Sequence, residues 1–373
     1  MEYVNLGDVA TYINGYAFKP EHRGKKGLPI IRIQDLNGNS HDLAFFDGKY
    51  PEQVEINTGD ILISWSGSLG VYKWNKGKAL LNQHIFKVLF NKIEIDKEYF
   101  CYAIRNSLSS MSQQTHGATM KHITKKDFDN ISIPYPDLIE QKKIANNLNI
   151  VNKLIMFYEK ELILFEQMVK ARFIEMFGDP LLNPNGHLKE KIEKHINLLS
   201  GYPFKSEQYV EKGINICGGL IIMPQKIKWD ECVHWSSVEG FEDYLLNEND
   251  IVMALDRPWI SGGFKIAKVD AEHLPALLIQ RTARIRSIDI NQDYLYYCFI
   301  TGGFDKHSNV TGSLVPHISA KDIRSFEIMI PPVELQNQFA DFIQQVDKSR
   351  EAVKKSLEKT KQLYDSLMQE YFG

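Results

Sequence analysis

The chain has 373 residues, 43% apolar and 24% charged, with a formal net charge of −3 at neutral pH. That is room for two or three domains with cores of their own, and an acidic balance gives DNA no long-range attraction, so any contact with it must rest on local basic clusters. No apolar run approaches the ~20 residues of a membrane span, and the start MEYVNLGDVA lacks a basic-then-apolar export signal, so a cytoplasmic protein without a membrane partner is expected.

In chain order, the sequence repeats itself. GYAFKPE at Gly15–Glu21 returns as GYPFKSE at Gly201–Glu207, an offset of 186. NTGDILIS (Asn57–Ser64) matches NENDIVMA (Asn247–Ala254) at 190, and LLNQHIFKV (Leu80–Val88) matches LLIQRTARI (Leu277–Ile285) at 197. GATMKHITKKD from Gly117 matches GSLVPHISAKD from Gly312 at 195, an offset that then holds to the C-terminus. The small changes of offset belong in loops, which tolerate insertions. Residues 1–136 and 179–331 therefore read as two copies of one mixed domain of short strands and a few helices, with net charges of +2 and −4. Each is followed by a long helix, 137–178 and 332–373, with net charges of 0 and −1.

Prolines open both helices, and neither proline nor glycine appears again until Gly178 and Gly373, of which Gly178 can cap the first. Asp137 with Glu140 three residues on has the spacing of a capping box. A 4-3 spacing gives the seam Ile144, Leu148, Val151, Ile155, Tyr158, Leu162, Phe165, Val169, Arg172, Met176 in the first helix. In the second it gives Phe339, Ile343, Val346, Arg350, Val353, Leu357, Thr360, Tyr364, Leu367, Tyr371. Such regularity over roughly 60 Å of helix points to a coiled coil in which the two helices pair antiparallel. The competing reading is two amphipathic helices, each packed on its own domain.

Catalytic equipment is absent from the motifs. There is no phosphate-binding G-x-x-x-x-G-K-[ST] loop, no G-x-G-x-x-G turn, no H-E-x-x-H spacing among eleven histidines, and no methyltransferase or nuclease signature. Cys101, Cys217, Cys232 and Cys298 are scattered, as expected of buried thiols and not of zinc ligands or bridges. A non-catalytic binding protein without cofactor or metal is expected.

The variable domain ending in G-x-x-x-x-H-I-x-x-K-D, the helix opening E-Q or L-Q and closing E-x-F-G, and the whole pattern repeated once resemble the specificity (S) subunit of Type I restriction–modification enzymes. GDILISWSGSLG (Gly59–Gly70) and NQH (Asn82–His84) share the likeness, which covers essentially the whole chain. The resemblance implies an α+β fold of two duplicated target-recognition domains separated by an antiparallel coiled coil. It also implies a subunit that reads a split, asymmetric sequence in double-stranded DNA and docks two methyltransferase (M) subunits. These direct adenine methylation, and restriction/translocase (R) subunits add cleavage as a defence against foreign DNA. S-adenosylmethionine, ATP and Mg2+ would belong to those partners. A targeting subunit of another methylation-based defence system, or a coiled-coil adaptor that binds no DNA, would share many of these features.

Candidate DNA contacts lie in matched loops. Gly117 and Gly312 permit a tight turn that brings backbone N–H groups to phosphate, with Thr119, Lys121 and Ser313 beside them. His122 and His317 either donate to phosphate or hold the loop through internal hydrogen bonds, whereas Lys126–Asp127 and Lys321–Asp322 suit a cap on the next element. Ser64, Ser66 and Ser68 occupy a turn after a strand, with Trp65 either core or stacking. Arg257 and Ser261 occupy comparable surroundings in the second copy; Arg257 either reads guanine or pairs with an acid such as Asp256. Gln83–His84 and Gln280–Arg281 start matched strands with residues suited to adenine and guanine edges. Arg284 and Arg286 share a strand face and either follow phosphates or are solvated.

Overall fold

The computed structural model describes residues 2–38, 42–114, 124–308 and 316–373. It divides into two compact units, Met1–Glu159 with Lys355–Gly373, and Lys160–Lys354. Among the described residues, no helix is long and apolar enough to cross a membrane.

In the first unit an antiparallel sheet runs in the order Thr11–Asn14, Ile85–Leu89, Ile61–Ser64, Gly70–Lys73. A second sheet joins Phe45–Phe46, Leu28–Ile31, Ala79–Leu81 and Glu55–Ile56, with Leu28–Ile31 parallel to Ala79–Leu81. The second unit repeats both. Its antiparallel sheet runs Ile196–Ser200, Thr282–Ser287, Ile251–Ala254, Ile266–Lys268. Its second sheet holds Val233–Trp235, Ile214–Cys217 and Ala276–Leu278, the last two again parallel. A single Leu245–Leu277 bridge stands where the first unit has its fourth strand. The duplication read from the sequence is thus a duplication of topology. The parallel pairings escaped the sequence because those strands are buried and too short to show an alternation.

The long helices run Leu138–Phe177 and Val333–Phe372. Within the first unit Glu159 meets Lys361 at 2.8 Å, and Asn147 donates to the Tyr371 hydroxyl at 3.2 Å. One number rises as the other falls, so the helices are antiparallel there. Within the second unit, the Phe173 and Phe339 rings lie 5.5 Å apart, and the Arg172 guanidinium lies over the Phe342 ring at 5.6 Å, again antiparallel. All twenty expected seam positions are buried or half-buried. The seam's polar members are accommodated locally. Arg172 pairs with Glu175, Arg350 with Asp347, and the Thr360 hydroxyl returns to the Ser356 carbonyl. Gly178, at φ +81°, ends the first helix with its N–H on the Ile174 carbonyl. Asp137 accepts the Glu140 N–H, but the Glu140 carboxylate pairs with Lys143, so only half of the expected capping box forms.

The glutamine that opens each helix is buried and ties it to its unit. In the first, the Gln141 amide donates to the Pro136 carbonyl and accepts the Asp96 N–H, at 2.8 and 2.9 Å. In the second, Gln336 does the same with Pro331 and Asn291, at 2.8 Å each. Each unit also closes on a tyrosine: Tyr99 donates to the Pro134 carbonyl and packs on Phe372, while Tyr294 donates to the Met329 carbonyl and packs on Phe177. The phenylalanine closing each long helix therefore serves the core of the opposite repeat, which explains the recurrence of Phe-Gly at both helix ends.

Candidate nucleic-acid interface

In each unit the Gly-Tyr-x-Phe-Lys motif grips the loop that leads into the central strand. A Cβ on Gly15 would stand 2.0 Å from the Asn82 carbonyl oxygen, and one on Gly201 would stand 2.0 Å from that of Ile279. Only glycine allows this approach. The following tyrosine then bonds on both sides. Tyr16 N–H donates to Leu81 and its carbonyl accepts from Gln83, at 2.8 and 2.9 Å; Tyr202 does so with Leu278 and Gln280, at 3.0 and 2.8 Å. The next residue is left-handed in both units, His84 at φ +72° and Arg281 at φ +63°. Its carbonyl accepts a second loop's N–H, that of Trp65 in the first unit and Leu255 in the second. Gln83–His84 and Gln280–Arg281 therefore form turns ahead of the strands and do not start them.

The second loops match as well, with a left-handed residue at Gly67 (φ +70°) and Arg257 (φ +46°). Ser64 does not face outward as expected. It is fully buried, and its hydroxyl is taken by the Ser68 carbonyl at 2.5 Å, so it closes the turn. Ser66 is also buried, whereas Ser68 and Ser261 are exposed. Trp65 stacks on core Phe86 at 5.6 Å, with its indole N–H on Asn14 and its edge against His84.

In the second unit, residues beyond the repeated glycine join this surface. Arg257 N–H donates to the Pro316 carbonyl, and Ile318 N–H to that of Leu255. This seats His317 beside Asp256, with Nδ1 on Oδ1 at 2.7 Å. Of the two roles open to His317, the internal hydrogen bond is the one formed here. The other oxygen of Asp256 faces Arg281 Nε at 3.4 Å. Asp256 thus pairs with Arg281, not with its neighbour Arg257, whose exposed side chain makes no ion pair among the described residues. Lys265 is buried with its ammonium on the Gly219 carbonyl, and burial, with Arg257 nearby, pushes its pKa down. On the Asp256 carboxylate this unit gathers Arg281 and His317, with Arg257 next in sequence and Lys265 near Arg257, a local basic cluster in a region of net negative charge.

Arg284 and Arg286 do not stand solvated, since both are held by groups of their own unit. Arg284 is buried and donates to the Asp243 carbonyl and to Asn197; burial and neighbouring Arg286 push its pKa down. Arg286 forms a fork on Asp250, at 2.5 and 2.8 Å. Lys126–Asp127 and Lys321–Asp322 lie inside the short helices Lys125–Asp129 and Ala320–Arg324 and do not precede them; the N-caps are Thr124 and Ser319, with Asp127 and Asp322 bonded back to them from the first turn. Gly117, Thr119, Lys121, His122, Gly312 and Ser313 lie outside the described residues. Sequence reasoning missed Asp256 as the holder of Arg281, and Lys265 altogether. Their partners are distant in sequence, and only the shared left-handed turns would have hinted at them.

A profile of the Type I restriction modification DNA specificity domain matches residues 1–164 and again residues 201–362. The chain belongs to this family. Among its relatives, the specificity subunit of the Type I restriction enzyme MjaVIII of Methanocaldococcus jannaschii is 26% identical over 389 residues, 98% of this chain and 91% of the relative. The EcoBI specificity subunit of Escherichia coli is 32% identical over 149 residues, 39% of this chain and 31% of the relative. The crystal structure of an S subunit from M. genitalium superposes with a TM-score of 0.57 at 14% identity, covering 100% of this chain and 96% of that one. This likeness is one of fold. It agrees with the duplicated mixed domains and paired helices expected from the sequence.

Proposed function

We propose that this specificity subunit reads a split, asymmetric sequence in double-stranded DNA, one half-site for each loop frame, and directs adenine methylation by two partner methyltransferase subunits. Restriction/translocase subunits add cleavage, and S-adenosylmethionine, ATP and Mg2+ belong to the partners. The chain itself carries out no chemistry and works in the cytoplasm. The observation that carries this reading is one backbone frame built twice with different side chains at its tips, His84 in one copy and Arg281 in the other. Identical readers would select a symmetric target; divergent ones select an asymmetric target. Phosphate contacts would fix the register and base edges the sequence. Partner docking is supported by Ile150, Leu154 and Phe157, a second apolar stripe with 4-3 spacing left exposed on the first unit's stretch of long helix.

The test is genome-wide methylation mapping with and without the gene, and with residues 1–136 exchanged for those of another family member. Deletion is expected to erase one bipartite methylated motif, and the exchange to change one half of that motif only. Methylation unchanged by deletion would overturn the reading.

A further inference from the structure

We propose that the left-handed tip residue of each frame, His84 in the first unit and Arg281 in the second, determines specificity in its half-site, and that Arg281 reads a guanine. This rests on the DNA-reading function above and adds a residue and a base to it.

The first ground is backbone conformation. Residues other than glycine occupy the left-handed region at a steric cost, and such positions persist where the surroundings impose them. Both frames impose it on the same residue through the same main-chain bonds, and in neither is the position a glycine. A turn needed only for its shape would place glycine there, as the first unit does at Gly67. A side chain is therefore wanted at the tip.

The second ground is how Arg281 is held. Its side chain is 73% exposed, yet Nε faces Asp256 at 3.4 Å. Asp256 is itself fixed by His317 and by its place in the bridge between Leu255–Arg257 and Pro316–Ile318. With Nε engaged, the two terminal nitrogens make no bond to any described residue and form a planar fork. That edge matches the O6 and N7 acceptors of guanine in the major groove with two N–H groups fixed in one plane, whereas lysine's rotating ammonium reaches the same acceptors without that fixed geometry. His84, half-buried with its ring against Trp65, carries an imidazole where the second frame carries a guanidinium. The two tips therefore select different bases.

The experiment uses the assembled specificity–methyltransferase complex and selects bound duplexes from a randomised library, alongside methylation mapping in cells. R281K keeps charge and stem but not the fork. R281Q removes the charge. Both are expected to assemble as the wild type does and to lose roughly 10- to 100-fold of the preference for guanine at one position of one half-site, leaving the other half-site unaltered. D256N should weaken the preference at that same position. H84A should alter one position of the opposite half-site. An R281K complex that assembles normally and keeps the wild-type preference everywhere overturns the proposal, as does loss at a base other than guanine. Such a result, with methylation still dependent on the gene, would leave the function standing and remove only this residue assignment.

Discussion

Arg286→Ala separates a structural arginine from one that follows DNA. The Arg286 fork closes on Asp250, whose side chain is 3% exposed against 31% for the arginine. Asp250 also accepts the Asn247 N–H at 2.7 Å, the one bond that the variant leaves to this buried carboxylate among the described residues. Breaking a buried pair on one side typically costs about 3–5 kcal/mol, and the partial exposure of Arg286, which admits water, places this case near 3 kcal/mol. For a unit the size of Lys160–Lys354, each kcal/mol moves the midpoint by roughly 2–4 °C, so Tm should fall by about 6–12 °C. Removing both partners in R286A/D250A should recover part of that loss, because no charge is then stranded. The assay is thermal unfolding of the full chain, with the salt dependence of DNA binding by the assembled complex as a second readout. A structural Arg286 leaves that salt slope unchanged. An R286A chain that melts within about 1 °C of the wild type, while the slope falls by about one, would refute the reasoning and return Arg286 to the phosphates.

The glutamines opening the long helices should behave as twins. Q141A strands the part-buried Pro136 carbonyl and Asp96 N–H, and Q336A the buried Pro331 carbonyl and part-buried Asn291 N–H, at a cost of roughly 1–3 kcal/mol each, and chemical denaturation showing one of them neutral would contradict the shared role. Burial pushes the Cys101 and Cys298 thiols up to about 12 from an ordinary 9. Folding therefore holds protons that the unfolded chain releases near pH 9, so their stabilisation is full below 9 and fades as pH rises towards 12. Thiol labelling at pH 8 should find Cys232 alone accessible in the native chain, and labelling of Cys101 or Cys298 without unfolding would contradict this burial.

The duplication was legible because its anchors are backbone requirements. Gly15 and Gly201 have no room for a Cβ, and a buried glutamine opens each long helix, so those letters recur at recognisable spacing. The seam was legible because a 4-3 pattern over forty residues leaves few other solutions. The loop chemistry was legible only as residue types. Nothing local distinguishes Arg284 and Arg286, held by Asn197 and Asp250, from Arg281 at an exposed tip. The sequence puts Asp256 next to Arg257, whereas the left-handed backbone at Arg257 parts the two side chains and gives Asp256 to Arg281 and His317. Ser64 failed as a contact for a similar reason: a hydroxyl at the last position of a buried strand meets its own turn first.

The clamp on each tip also limits what mutation can write there. The bonds that Tyr16 and Tyr202 make to the turns at 84 and 281, and those the turns accept from Trp65 and Leu255, belong to the main chain, so changing either residue leaves these bonds in place. Left-handed geometry nevertheless filters the replacements. Glycine, asparagine, aspartate and unbranched polar side chains enter at modest cost, while valine, isoleucine and threonine meet their own backbone. Drift at a single codon can thus propose new letters to this subunit, but from a shortened alphabet. That alphabet lacks the three β-branched residues and retains those rich in hydrogen-bonding edges.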